Sequence, residues 1–177
     1  VFLRDRLFID DDMLSGVYAR LAEGQVEQVV ILSTCDRVEF QGVAADPERA
    51  AAVIGDVFRR LAGADIDALE NSTYRKFDEA AVRHIFAVAA SLDSQVIGEP
   101  QVLGQVREGH RTAKAAGMVG WELDQLFQSA YSTAKRVRTE TTIGERAVSI
   151  ASAATQITSD IHGNMKDVGV LVIGLGE

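Results

Sequence analysis

A single cysteine, Cys35, is all that the chain of 177 residues contains, so no internal disulfide can form and a reducing cytoplasm is the fitting compartment. No run of 18 or more apolar residues is present, so no segment reads as a membrane span. The opening VFLRDRLF is too charged for the apolar core of a signal peptide. An excess of positive charge is missing as well: a formal net charge of −8 argues against a generally basic nucleic-acid binder while leaving room for a local basic stripe. Internal repeats and low-complexity tracts are absent. With 47% hydrophobic and 25% charged residues, the composition is that of a globular chain rather than a disordered one. The length suits one domain of moderate size, or one domain with a fragment of a second.

Periodicity organises what is there. DDDMLSGVYARLAEG sets acidic residues before Met13, Leu14, Val17, Tyr18 and Leu21 at helical spacing, with Gly24 placed to end the helix. VEQVVILST is rich in β-branched residues and RVEFQGVA alternates apolar with polar, which predicts two strands joined by a tight connection at Cys35 and Asp36. ADPERAAAVIGDVFRRLAG reads as a helix opened by Asp46 and Pro47 and closed at Gly63. TYRKF predicts a further short strand. DEAAVRHIFAVAASL, PQVLGQVREGHRTAKAAG and WELDQLFQSAYSTAKRVRTE follow as helices, the last interrupted at Ile143 and Gly144. Another helix, ERAVSIASAATQITSDI, leads to DVGVLVIGLGE, read as a buried parallel strand entering a glycine turn.

Several residues stand out chemically. The window HIFAVAASLDSQVIGEPQVLGQVR sets Asp93, Ser94, Gln95, Glu99, Gln101 and Gln105 inside an apolar helical pattern, where an uncompensated polar group costs a few kcal/mol, so a pocket is a better reading than a plain core. Gly98 and Gly104 would let a backbone or ligand come close. Cys35 sits among Ser33, Thr34, Asp36 and Arg37; a nearby cation favours the nucleophilic thiolate, although a free cysteine is more often simply buried. Arg37 reads as a fork for a carboxylate or as a solvated strand residue. His84 reads as a catalyst or as a satisfied, partly buried side chain. Ser94 could cap a turn, and Glu99 and Gln101, on either side of Pro100, could cap the helix that follows. Gly174 and Gly176 are the first two glycines of a GxGxxG phosphate loop or mark a flexible turn. Arg107, Arg111 and Lys114, with Lys135, Arg136 and Arg138, are a solvated helix face or a track for tRNA phosphates.

LSTCDRVEF resembles the S-T-C-N-R-x-E motif of the glutamyl-tRNA reductase family, and the window from His84 to Arg107 resembles the long signature of that family. VFLRDRLF and AKRVRTETTIGERAVSIASAA are similar to further family segments, so the resemblance covers nearly the whole chain. Two positions depart from the pattern: Asp36 stands where the family usually has Asn, and Gln95 where it usually has Met. The first puts a charge beside the nucleophile. The second is a packing change.

The resemblance implies an enzyme of five-carbon tetrapyrrole (porphyrin) biosynthesis that reduces glutamyl-tRNA to glutamate-1-semialdehyde with NADPH through a cysteine thioester. Cys35 would be the nucleophile and His84 the histidine important for activity. Thr34, Cys35, Asp36, Arg37, Ser94, Glu99, Pro100, Gln101 and Gln105 would line the substrate pocket, with Arg37 pairing the side-chain carboxylate. Gly174, Leu175, Gly176 and Glu177 would belong to the NADPH loop, and no metal is expected. The implied fold is α+β: a small, mostly antiparallel sheet with helices, a connecting helix, then the first strand of a Rossmann-type domain. The divisions fall at 1–142 (catalytic, glutamyl-tRNA-binding), 143–167 (connecting helix and turn) and 168–177 (opening of the NADPH-binding domain). Family members carry one more strand before the VFLRDRLF-like segment. Partners would be glutamyl-tRNA, glutamate-1-semialdehyde aminomutase and a second copy in a homodimer, in the cytoplasm and without a membrane. A chain of this extent could instead act only as a tRNA- or partner-binding module. A generic NAD(P)-dependent dehydrogenase gives no reason for STCDR or GEPQ.

Overall fold

The computed structural model describes residues 6–34, 36–63, 69, 71–144, 150–163, 166, 169 and 171. Helix α1, Asp11–Glu23, starts where Asp10 accepts the Met13 amide at 3.0 Å, with Asp11 and Asp12 in the first turn against the positive helix end. Its inward stripe is Val17, Tyr18 and Leu21. Gly24 does not provide the left-handed residue that stops this helix; Gln25 does, at φ 63°, with Val26 N–H donating to Leu21 O. Gly24 is needed for space, since a Cβ there would lie 2.5 Å from Val53 Cγ1.

Strands β1, Gln28–Ser33, and β2, Val38–Val43, form an antiparallel hairpin in register from Gln28↔Val43 to Ser33↔Val38. Val29, Val30, Ile31 and Leu32 are all buried, so β1 is covered on both faces. One cover is helix α4 (Pro100–Ala115, below), whose Gly109 approaches so closely that a Cβ would stand 2.6 Å from Ile31 O. Helix α2, Pro47–Ala62, opens with Asp46 accepting from Arg49 N–H and Pro47 at its first position. It packs on one face of β2, Phe58 meeting Phe40 edge-on at 5.0 Å.

Three further helices complete the core: α3, Asp78–Ala89; α4, Pro100–Ala115; and α5, Trp121–Glu140. Val88, Val106, Leu123 and Phe127 are almost wholly sealed from water, each contributing about 1.5–3 kcal/mol by burial. A 3-10 turn, Thr142–Gly144, and helix α6, Ile150–His162, follow. Two-stranded sheet and helices make the expected α+β class. The predicted strand and glycine turn at the end of the chain, with Gly174, Leu175, Gly176 and Glu177, lie outside the described residues. No described helix is long and apolar enough to cross a membrane.

Two sequence expectations are corrected. TYRKF is not a strand: residues 73–77 carry no ladder, and Tyr74 is instead tied through its hydroxyl to Glu39. The helix predicted over DEAAVRHIFAVAASL stops short of its last three residues. Ser91 takes φ 57° and Leu92 N–H donates to Ala87 O, a left-handed stop that ends the helix and turns residues 90–99 into a loop.

Away from that loop, His110 on α4 is buried, stacked on Phe127 at 4.8 Å, with Nδ1 2.9 Å from the Tyr131 hydroxyl. Its Nε2 lies 3.2 Å from Asp124 Oδ1, which also takes Lys114 Nζ at 2.9 Å. Burial pushes the imidazole below its ordinary range, outweighing the opposing pull of Asp124. The folded state therefore resists a proton that the unfolded chain accepts at about pH 6.5, and stability should fall as pH drops from there until the folded histidine itself protonates. Urea unfolding at pH 7.5 and pH 5.5 should show a larger loss for the wild type than for His110→Phe. Equal losses would contradict this assignment.

Candidate active site

The hairpin tip is built on Thr34. Its amide donates to Arg37 O at 2.8 Å, and its hydroxyl oxygen accepts the amides of Asp36 and Arg37, each at 3.2 Å. A buried threonine thus satisfies the backbone of a turn too tight to satisfy itself. Asp36 is half-buried in that turn. Cys35 lies outside the described residues. The expectation of two strands flanking Cys35 and Asp36 agrees with β1 and β2.

Glu39 and Gln41 alternate along β2 and so share one of its sides, to which Arg37, just before the strand, is joined by its bond to Glu39. Alternation predicts a strand without saying which side faces inward, and here the polar side does: Glu39 and Gln41 are buried, while Val38 and Phe40 are only half-buried beneath α2. Glu39 Oε1 accepts from the Tyr74 hydroxyl at 2.5 Å and the Arg37 guanidinium at 3.1 Å, and lies 3.0 Å from His84 Nε2. Oε2 accepts from Gln41 Nε2 at 2.6 Å. Burial pushes the Glu39 carboxyl up, but the donors Tyr74 and Gln41 and the adjacent His84 more than offset it, leaving the group below its ordinary range. Burial and the Glu39 carboxylate together hold the Tyr74 hydroxyl well above its ordinary range, as a proton donor.

His84 reaches this cluster from α3. Tyr74 stands edge-on to its ring at 5.5 Å, and its Nδ1 faces Asp93 Oδ2 at 3.1 Å. Arg37 also bonds the Asp93 carbonyl and lies 3.6 Å from Asp93 Oδ1. The structure therefore brings Thr34, Arg37 and His84 to one place. It adds Glu39, Tyr74 and Gln41, which the sequence reading did not assign to a site, and it brings in Asp93, which the polar window places in a pocket without a role. For Glu39 a signal existed: it is the final residue of the STCDRVE motif, on the strand that begins just after Arg37.

The loop carries other predicted residues. Ser94 Oγ donates to Val96 O at 2.7 Å, a turn-closing bond, and Ser91 Oγ donates to Glu99 O at 2.7 Å. Glu99 precedes α4 without a side-chain capping bond, so the capping reading fails for it and its half-buried carboxylate is available for another task. Pro100 fills the first helical position. Gln101 and Gln105, exposed and half-buried, lie one turn apart on the same side of α4. Gly98, at φ 87°, sits where a Cβ would be 2.2 Å from Ile143 O, and its carbonyl takes Arg138 at 3.2 Å. Gly104 faces open space, so only Gly98 of the two marks a close approach.

The proposed basic stripe is largely neutralised within the chain. Arg111 pairs with Glu108, Lys114 with Asp124 and Arg136 with Glu140, while Arg107 covers the Tyr131 ring. That favours the solvated-face reading over a continuous phosphate track.

The N-terminal domain of glutamyl-tRNAGlu reductase is the family whose model matches residues 1–141. A glutamyl-tRNA reductase of Rhodospirillum rubrum is 41% identical over 175 residues, 99% of this chain and 41% of that protein. One from Magnetococcus marinus is 42% identical over 178 residues, covering 100% and 42% respectively. Among solved structures, glutamyl-tRNA reductase from Methanopyrus kandleri superposes with a TM-score of 0.70 at 29% identity, covering 89% of this chain and 36% of that one. The chain thus spans about two fifths of the length of these curated relatives. On the family match through residue 141, the shared identity and the common fold, the chain belongs to the glutamyl-tRNA reductase family, as its N-terminal domain.

Proposed function

We propose that this chain carries the glutamyl-transfer half of an NADPH-dependent glutamyl-tRNA reductase, with residues 1–142 receiving the substrate, 143–167 connecting and 168–177 opening the nucleotide domain. The observation that supports it best is the buried Glu39 holding Arg37 and His84 together beside the STCDR turn. Cys35 attacks the ester carbonyl of glutamyl-tRNA as a thiolate. A C–S bond forms, the bond to the tRNA ribose oxygen breaks, and that oxygen leaves with a proton. The resulting thioester holds the glutamyl group for reduction to glutamate-1-semialdehyde.

Arg37 offers the charged fork for the glutamyl carboxylate, oriented by its bond to Glu39. His84 is tethered at Nε2 by Glu39, which favours Nδ1, facing the half-exposed Asp93, for orienting substrate or moving a proton. Thr34 shapes the turn, while Ser94, Glu99, Pro100, Gln101 and Gln105 form the loop and helix margin of the same pocket. NADPH supplies a hydride when bound, and Gly174 and Gly176, with Leu175 and Glu177, would bring the backbone close to its pyrophosphate. On the same reading the whole reductase works in the cytoplasm as a homodimer and passes its product to glutamate-1-semialdehyde aminomutase.

Cys35→Ser should lower the rate of glutamyl release from charged tRNA by at least about 100-fold while leaving tRNA binding nearly unchanged, because the hydroxyl is far less nucleophilic. Single-turnover deacylation and filter binding measure the two. Substantial remaining deacylation would remove Cys35 from the reaction. Glu39→Gln, which keeps shape but loses charge, should destabilise the fold by about 1–3 kcal/mol and slow the same step. Chemical unfolding and the deacylation assay check this, and unchanged values in both would rule out Glu39 as the organising group.

A further inference from the structure

Asp93 occupies the position that a bound carboxylate would need. Its Oδ2 lies 3.1 Å from His84 Nδ1 and its Oδ1 lies 3.6 Å from the Arg37 guanidinium, so one side chain bridges both groups. Arg37 has two carboxylate neighbours, and they differ in how readily they could leave. Glu39 is 7% exposed and engaged by Tyr74, His84, Arg37 and Gln41; displacing it would strand the buried Gln41 and the largely covered Arg37 and His84. Asp93 is 52% exposed. The bonds that shape its loop are Gly98 N–H to Ser91 O, Ser91 Oγ to Glu99 O and Ser94 Oγ to Val96 O, and none uses the Asp93 carboxylate. Rotation of the side chain can therefore uncover His84 Nδ1 and withdraw the Asp93 charge from Arg37, which keeps its bond to the Asp93 carbonyl, while the loop stays intact.

Charge makes that release necessary. Arg37 and Glu39 already balance one another, and Asp93 adds a further negative charge. A glutamyl carboxylate arriving with Asp93 in place would add a like charge at contact distance, whereas exchange of one carboxylate for another leaves the count unchanged. We propose that Asp93 is a displaceable internal carboxylate that fills the Arg37–His84 position in the empty site and must swing out before a substrate carboxylate can bind. This rests on the reading of Arg37 as the substrate's carboxylate fork.

Displacement weakens every anionic ligand by the same factor, since only the fraction of molecules with the Asp93 carboxylate swung out is competent to bind. A glutamyl group tethered to tRNA has other contacts to compensate for that loss. Free glutamate and other small dicarboxylates do not, and the internal carboxylate holds them below useful occupancy. Asp93 would thus set a threshold against untethered substrate, without altering the relative preference among ligands that displace it.

The test uses the full chain and glutarate as the probe, with Kd taken from NMR shifts during titration at low salt. Asp93→Asn keeps the carbonyl contact to Arg37 and removes the competing charge, so glutarate should bind about fivefold more tightly, the scale of a half-exposed ion pair. Asp93→Glu, which restores a competitor, should return the Kd toward the wild-type value. Weaker or unchanged binding in Asp93→Asn would overturn the proposal, weaker binding marking Asp93 as a support for Arg37 and His84. Arg37→Lys separates the underlying reading: if it leaves both glutarate binding and the Asp93→Asn gain intact, Arg37 is not the fork. If Arg37→Lys weakens glutarate while Asp93→Asn has no effect, Arg37 stands and the displacement proposal fails.

Discussion

A buried carboxylate has to be fully engaged or it destabilises the fold that surrounds it, and Glu39 imposes that condition on this domain. Tyr74, His84, Arg37 and Gln41 all converge on its two oxygens, drawn from three parts of the chain: strand β2 with the residue just before it, the extended segment before α3, and α3 itself. Each donor loses its partner if Glu39 is absent, and Glu39 loses its stabilisation if the donors move. The site and this corner of the fold are therefore one structure. Arg37 and His84 hold their geometry without substrate because Glu39 requires it.

Strand β2 makes this arrangement possible by presenting two different faces. Phe40 meets Phe58 of α2 on one, while Glu39 and Gln41 turn to Tyr74 and His84 on the other. Neighbouring β1 is buried on both faces, with Gly109 of α4 pressed on Ile31 O. The rigid hairpin fixes the turn at Thr34–Arg37, and the loop at 90–99 supplies the contrasting, displaceable side. Its anchor at Gly98 packs so closely on Ile143 O that the loop's far end cannot drift, which confines adjustment to side chains such as Asp93.

The chemistry expected of a glutamyl-tRNA reductase suits this division of labour. On the proposed reading, an acyl group handed from tRNA to a cysteine needs positioning more than acid or base strength, and the guanidinium held by Glu39 would supply it. On α4 and α5, Arg111, Lys114 and Arg136 are each paired with a carboxylate of the same chain. Those pairs leave no broad positive field on these two helices.

Local pattern was enough for much of this molecule. Helices α1 to α5 and both strands follow from apolar spacing, β-branched runs and the Asp10, Asp46 and Pro100 start signals, because those depend on neighbours a few residues away. Thr34, Arg37 and His84 were visible as chemistry through the STCDR and His84-to-Arg107 motifs. The inward turn of the polar side of β2 was not visible, since alternation has the same period whichever face is buried. Nor was the fate of TYRKF, where a strand-like composition yields to one hydroxyl bond with Glu39 35 residues away. The end of α3 at Ser91, without a glycine to mark it, likewise depends on the packed loop that holds that residue left-handed. Sequence by itself determined the elements and the reactive residue types, which short-range sterics and solvation govern; only the tertiary structure decided that Glu39 and Tyr74 join the site and that Asp93 meets Arg37 and His84 there, because burial and charge pairing are set by contacts between segments far apart in the chain.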